Sequence, residues 1–182
     1  YMIKKKLTLC ILIICSSCFN NKIKEIKDLS FEKLKINKNA SQVNSKYIEG
    51  IEPKEFENFL LNNNFKKISD KRNETVLLNE YIFKEPDANY KIIVDGEEKL
   101  NKIEFFSSSK TNSLEKANLF FSKAAKIPIP QVDTIRTKNW TQTNINLVNE
   151  NFSKATILSN IHFILEQINS NEFKLTIKKY GI

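Results

Sequence analysis

The side chains that could do chemistry in this chain are few and scattered. His162 is its only histidine and stands between Ile161 and Phe163 in a run of strand formers. Without a second histidine or a cysteine in the body of the chain, it cannot build a Cys-His or multi-histidine metal site, and a structural role is expected. The serine run Ser107-Ser108-Ser109 precedes a helical pattern and reads as turn and capping material; no Gly-x-Ser-x-Gly elbow accompanies it. Glu49/Glu52, Glu55/Glu57 and Glu97/Glu98 are carboxylate pairs of the type that glycan hydrolysis uses. Such chemistry depends on two acids facing one cleft, and spacing along the chain places none of these pairs that way. Gly50, Gly96 and Gly181 are the only glycines, which leaves no material for a phosphate-cradling loop. No catalytic residue, metal site or cofactor is therefore expected.

One segment combines groups suited to recognition. Arg136-Thr-Lys-Asn-Trp140 sets the sole tryptophan beside Arg136 and Lys138 in what reads as a polar connection, 131–146. An aromatic face among cations and amides can stack on a sugar or anchor in a partner pocket. The plainer expectation is that Trp140 pins a long crossover to the domain, since long unanchored loops are uncommon in compact domains.

The three cysteines, Cys10, Cys15 and Cys18, all fall in the first 18 residues, so the body can form no disulfide. A Cys15/Cys18 pair lacks the two further ligands that zinc needs. Their context is informative. Lys4-Lys5-Lys6 forms a basic run, 7–15 an apolar run, and Ser16-Ser17 a small-residue step before Cys18. This is the order of an export signal, and its apolar part falls short of the roughly 20 residues that span a bilayer. Residues 1–18 resemble the lipobox-bearing signal of bacterial lipoproteins. That resemblance implies removal of 1–17, acylation of Cys18 and a membrane-anchored protein on the extracytoplasmic side, periplasmic or at the cell surface.

Positioning the remaining groups falls to the elements downstream. Residues 18–46, rich in Asn, Lys and Ser, read as a lipidated N-terminus and tether carrying one short docking element, with a single globular domain at 47–182. Pro53 opens a helix with Phe56, Phe59 and Leu60 at i, i+3 and i+4, ending near Asn62-Asn63-Asn64. Hairpins are expected from 65–69 with 75–83, and from 90–94 with 102–106 around Asp95-Gly96. Asn112 and Glu115 resemble a capping box opening a second helix, whose face is marked by Leu114, Ala117, Phe120, Phe121, Ala124 and Ala125. The prolines of Ile127-Pro-Ile-Pro130 stop it. A terminal hairpin is expected from 155–168 and 173–180. The whole predicts an α+β fold, an antiparallel sheet with two helices packed on one face. The helix, strand, helix, strand order also raises an approximate two-half repeat, although the halves share too little sequence to establish one.

The net charge is +8, of which Lys4, Lys5 and Lys6 supply three, leaving +5 from Cys18 onward. That mild basicity gives solubility and favours anionic surfaces only weakly. No basic stripe with interleaved aromatics accompanies it, so nucleic acid is not an expected partner. The expectation is a lipid-anchored binding domain of the bacterial envelope that engages another protein, in the manner of an inhibitor or immunity protein. Glycan or lipid binding by a structural or assembly lipoprotein is the alternative, with a carboxylate-dependent hydrolase behind both.

Overall fold

Buried and more exposed positions alternate with period two in 88–95, 102–109 and 161–166, a pattern of strands buried on one face only. A computed structural model describes residues 25–43, 45–73 and 76–181, side chains of 70–73, 76 and 77 excepted. The signal-like leader and Cys18 lie outside the described residues. Seven strands form one antiparallel sheet: β1 (Lys66–Asn73), β2 (Val76–Glu85), β3 (Ala88–Asp95), β4 (Lys102–Ser109), β5 (Lys154–Leu158), β6 (Ile161–Asn169) and β7 (Glu172–Lys179). Their spatial order is β1-β2-β3-β4-β7-β6-β5. The fold is α+β as expected, and nothing in this order demonstrates a two-half repeat.

Register explains the core. Tyr81, Ile92, Phe105, Leu175 and Leu165 lie opposite one another across five strands, flanked by Phe83, Tyr90, Ile103, Ile177 and Phe163. These side chains share one buried cluster with Phe56 and Leu60 of α1 (Pro53–Asn62) and with Ala117, Phe120, Phe121 and Ala124 of α2 (Ser113–Ala124). The opposite face carries partly exposed Lys91, Ile93, Phe106 and Lys174, with Lys174 paired to Glu166 at 2.8 Å and Lys91 4.3 Å from the centre of the Phe106 ring.

The structure departs from the sequence expectations at five places. The stretch expected to be a polar connection contains a third helix, α3 (Thr134–Asn144). Asp133 caps it, accepting hydrogen bonds from the Ile135 and Arg136 amides at 2.9 and 3.0 Å. Its buried positions are Thr137 and Thr141, whose hydroxyls donate to the Ala125 and Thr137 carbonyls. A stripe carried by threonines is invisible to an apolar count, which explains the missed helix.

Asn112 precedes α2 in the left-handed region (φ 53°) and makes no side-chain capping bond, so the capping box does not form; Leu114, assigned to the buried face, is 39 % exposed. The expected strand 155–168 is broken into β5 and β6 by Ser159-Asn160, both with positive φ, as a two-residue hairpin turn requires. In the first hairpin, residues 70–73 continue β1 rather than turning.

The last departure concerns the segment expected to be a tether. Ile26, Leu29, Phe31 and Leu34 belong to the same buried cluster as the sheet, so the packed domain begins well before Tyr47. Two short 3-10 turns, Ile26–Asp28 and Phe31–Lys33, shape this strap, and Phe31 packs against Phe56, Phe59 and Phe105 with ring centroids 5.2 to 6.1 Å apart. No helix among the described residues is long and apolar enough to cross a membrane.

Candidate functional site

The strap, residues 25–34, crosses α2 because its apolar residues must reach the core while its backbone groups still need partners. Lys123 of α2 meets that need, donating from Nζ to the carbonyls of Lys27 at 2.6 Å and Leu29 at 3.0 Å. Burial, and then the nearby Lys126 cation, hold its pKa below the ordinary lysine value. At the start of the strap the Ile26 amide donates to Glu85 Oε1 at 2.7 Å, and Tyr90 Oη donates to Glu85 Oε2 at 3.1 Å. Burial, and then the Glu85 charge, push the Tyr90 phenol well above its usual value, so it stays a donor.

Between strap and helices lies a cleft with two lobes. One, of about 470 Å3, has Glu85, Asn112, Glu115, Lys116 and Asn118 around it. The other, of about 380 Å3, is bounded by Asp28, Glu32, Lys123, Lys126 and Lys138. Lys27, Leu119, Ser122 and Gln142 line both, so the two lobes are neighbours. The first wall is rich in carboxylates and amides and the second in lysines. Lys126 pairs with Glu32 at 2.5 Å, and this bond, with the Lys123 and Lys138 cations nearby, holds the Glu32 carboxyl below its ordinary pKa. Leu119 is 41 % exposed and supplies an apolar ledge between the lobes. The arrangement can hold an elongated polar group by charge and amide hydrogen bonds at both ends.

The residues singled out in the sequence are not brought together. Only Lys138 reaches the cleft. At 100° per residue, Arg136 and Trp140 fall one helical turn apart on α3 while Lys138 points about half a turn away. Trp140 packs against the core and Arg136 is exposed, so the three form no single patch, and Trp140 sits in a helix rather than a loop. The cleft residues Lys27, Leu119 and Gln142 were missed, for an understandable reason: an exposed leucine and a glutamine carry no signal until two distant segments face each other.

Other candidates are dispersed. Glu57 pairs with Lys67 at 3.0 Å, Glu49 accepts from Ser45 Oγ at 2.7 Å, and Glu97 and Glu98 are exposed in the β3–β4 loop. Ser109 Oγ lies 2.6 Å from both the Asp87 and the Thr111 carbonyl oxygens, with one proton to share between them, a turn-fixing role. Among the described residues no group of three or more His, Cys, Asp and Glu is placed to hold a metal ion.

His162 lies on the outward face of β6, opposite Lys178 and edge-on to Tyr180 at 5.8 Å. Burial, and then Lys178, lower its pKa below the ordinary 6.5. The unfolded chain therefore binds the extra proton first, so stability should decline as pH falls through about 6.5 and level off below the folded value. In His162→Gln that part of the decline should vanish. Urea unfolding at pH 7.5 and pH 5 measures it, and identical pH dependence in the two proteins would contradict the assignment.

The geometry defines an α+β protein of one antiparallel sheet, covered on a single face, with a cleft under an N-terminal strap. No protein-family model, curated protein or solved structure matches the chain.

Proposed function

We propose that this chain is a lipid-anchored, extracytoplasmic binding protein of the bacterial cell envelope, attached through Cys18 and engaging another protein without catalysis. The observation that carries the reading is the two-lobed cleft, with a carboxylate-rich lobe, a lysine-rich lobe and the exposed Leu119 between them. A surface of that kind complements a protein segment bearing both signs of charge around an apolar anchor. The leader supports the address. Glu85 does not act as a free acid in this reading, because both its oxygens accept hydrogen bonds from the domain itself.

The amides of Asn112, Asn118 and Gln142 in the first lobe favour one alternative, recognition of glycan hydroxyls by a structural or assembly lipoprotein. Affinity capture from membranes in mild detergent separates the two. The lipidated protein is used as bait beside Leu119→Lys and Lys138→Glu, with Arg136→Ala as the control outside the cleft. A stoichiometric protein partner retained by the control and lost in both cleft variants is expected. Retention by all four baits would remove the cleft from the interaction, and binding of envelope glycan with no protein partner would favour the alternative.

A further inference from the structure

We propose that two copies of this chain pair through the free edge of β5, antiparallel about Thr156, so that their sheets run on as one. Among the described residues the sheet ends in two edges, β1 and β5. They are built differently. β1, with sequence Lys-Lys-Ile-Ser-Asp-Lys-Arg-Asn, carries five charged residues and an irregularity between Lys67 and Ser69, devices that keep an edge from pairing. β5, Lys-Ala-Thr-Ile-Leu, runs in unbroken register against β6, and its one charge stands at the first position.

The turn that ends β5 decides which of its backbone groups are free. Ser159-Asn160 is a two-residue turn with φ of 49° and 62°, flanked by the partners Leu158 and Ile161. Residues flanking such a turn exchange backbone hydrogen bonds with each other. The Asn160 carbonyl accepts from the Tyr180 amide at 2.9 Å, so it points toward β7 and gives the same phase. Counting back in steps of two, Thr156 and Lys154 bond to β6, and the amides and carbonyls of Ala155 and Ile157 point away from the sheet. Among the described residues nothing bonds to them.

These four groups are symmetric about Thr156. The same strand reversed meets them group for group, which makes a second copy the occupant that fits: Ala155 of each copy lies opposite Ile157 of the other, and four hydrogen bonds satisfy every free group. No like charges meet in this register. Lys154 falls opposite Leu158 of the other copy, and its ammonium stays 4.7 Å from the centre of the Phe152 ring of its own chain. The outward side of the seam is apolar. Ala155 and Ile157, the latter 43 % exposed, continue the rows of Ile164 and His162 on β6, and each Ile157 is covered in part by Ala155 of the other copy. Two strands of this length bury less than the roughly 1,200 Å2 of a stable interface, so the dimer is weak and concentration-dependent. No residue of β5 lines either lobe of the cleft, and pairing leaves both open.

On the two-fold axis the facing Thr156 residues form a non-hydrogen-bonded pair with Cα atoms about 4.5 Å apart, within reach of a disulfide. The full-length chain with Thr156→Cys, oxidised in mild detergent, is therefore expected to form a dimer bridged at that position. Peptide mapping locates the bridge, since the native cysteines all lie in the first 18 residues. Glu98→Cys, exposed in the β3–β4 loop, reports random collision and should bridge severalfold less. Without oxidant, sedimentation of the unmodified chain should show a dimer fraction that rises with concentration. Ile157→Lys, at an exposed position and with folding checked by circular dichroism, should weaken that association severalfold. Bridging at Thr156→Cys no more frequent than at Glu98→Cys overturns the pairing, as does a dimer that Ile157→Lys leaves unchanged. Bridges from Thr156→Cys to a different protein in whole membranes, with none between copies, overturn self-pairing in favour of a foreign strand.

Discussion

Phe31→Ala should lower the stability of the whole domain by about 3–5 kcal/mol, the range for emptying a buried aromatic site. The expectation depends on where the strap sits. Phe31 is fully buried, stacked on Phe56, tilted on Phe59 and edge-on to Phe105, so its ring joins the strap, α1 and the central sheet. Its neighbours come from rigid elements and cannot collapse into the vacated space, which places the cost toward the upper part of the range. Chemical denaturation of the chain, followed by both circular dichroism and Trp140 fluorescence, measures it. Coincident transitions with a large fall in midpoint are expected. A loss under about 1 kcal/mol would mean that the strap is peripheral, because surface substitutions rarely exceed that size.

Gly96→Ala is expected to be nearly as damaging, for a different reason. At Gly96 the backbone has φ +139°, and an added Cβ would lie 2.0 Å from the Lys99 carbonyl oxygen and 3.1 Å from Leu100 Cα. Those are backbone atoms, so no rotamer change relieves the overlap. The β3–β4 loop would have to shift, and with it fully buried Leu100, whose carbonyl accepts from Ile48 at 2.7 Å. Backbone strain and overpacking each cost about 1–3 kcal/mol, which together suggest roughly 2–5 kcal/mol. Gly181→Ala is the matched comparison: φ is +88°, but nothing lies within 4 Å of the added carbon. It should cost only about 1–2 kcal/mol, the price of a left-handed alanine. Equal effects of the two substitutions in parallel thermal melts would show that the loop at Gly96 yields readily.

How much of this was legible beforehand varies with the kind of signal. Strand formers and turn residues revealed strands at 75–83, 90–94, 102–106 and 173–180, and the Pro53, Phe56 and Leu60 spacing revealed α1, because these signals are local. The helix at 134–144 was hidden because its buried side is made of threonines whose hydroxyls find carbonyl partners, so burial occurs there without hydrophobicity. The site was less legible still. Lys138 was singled out, but its grouping with Arg136 and Trp140 followed nearness in sequence, and the helix turns Lys138 away from both.

By itself the sequence determined a body without cysteine and the α+β class, since each follows from local composition or period. Only the tertiary structure decided that the expected tether is a core strap, that β7 joins β4 to complete a single sheet, and that Lys27, Leu119, Lys138 and Gln142 line one cleft. The physical reason is the range of the interactions. Propensity and periodicity act over a few residues, whereas the partners of Phe31, Glu85 and Lys123 lie tens of residues away and are chosen by which surfaces can exclude water together.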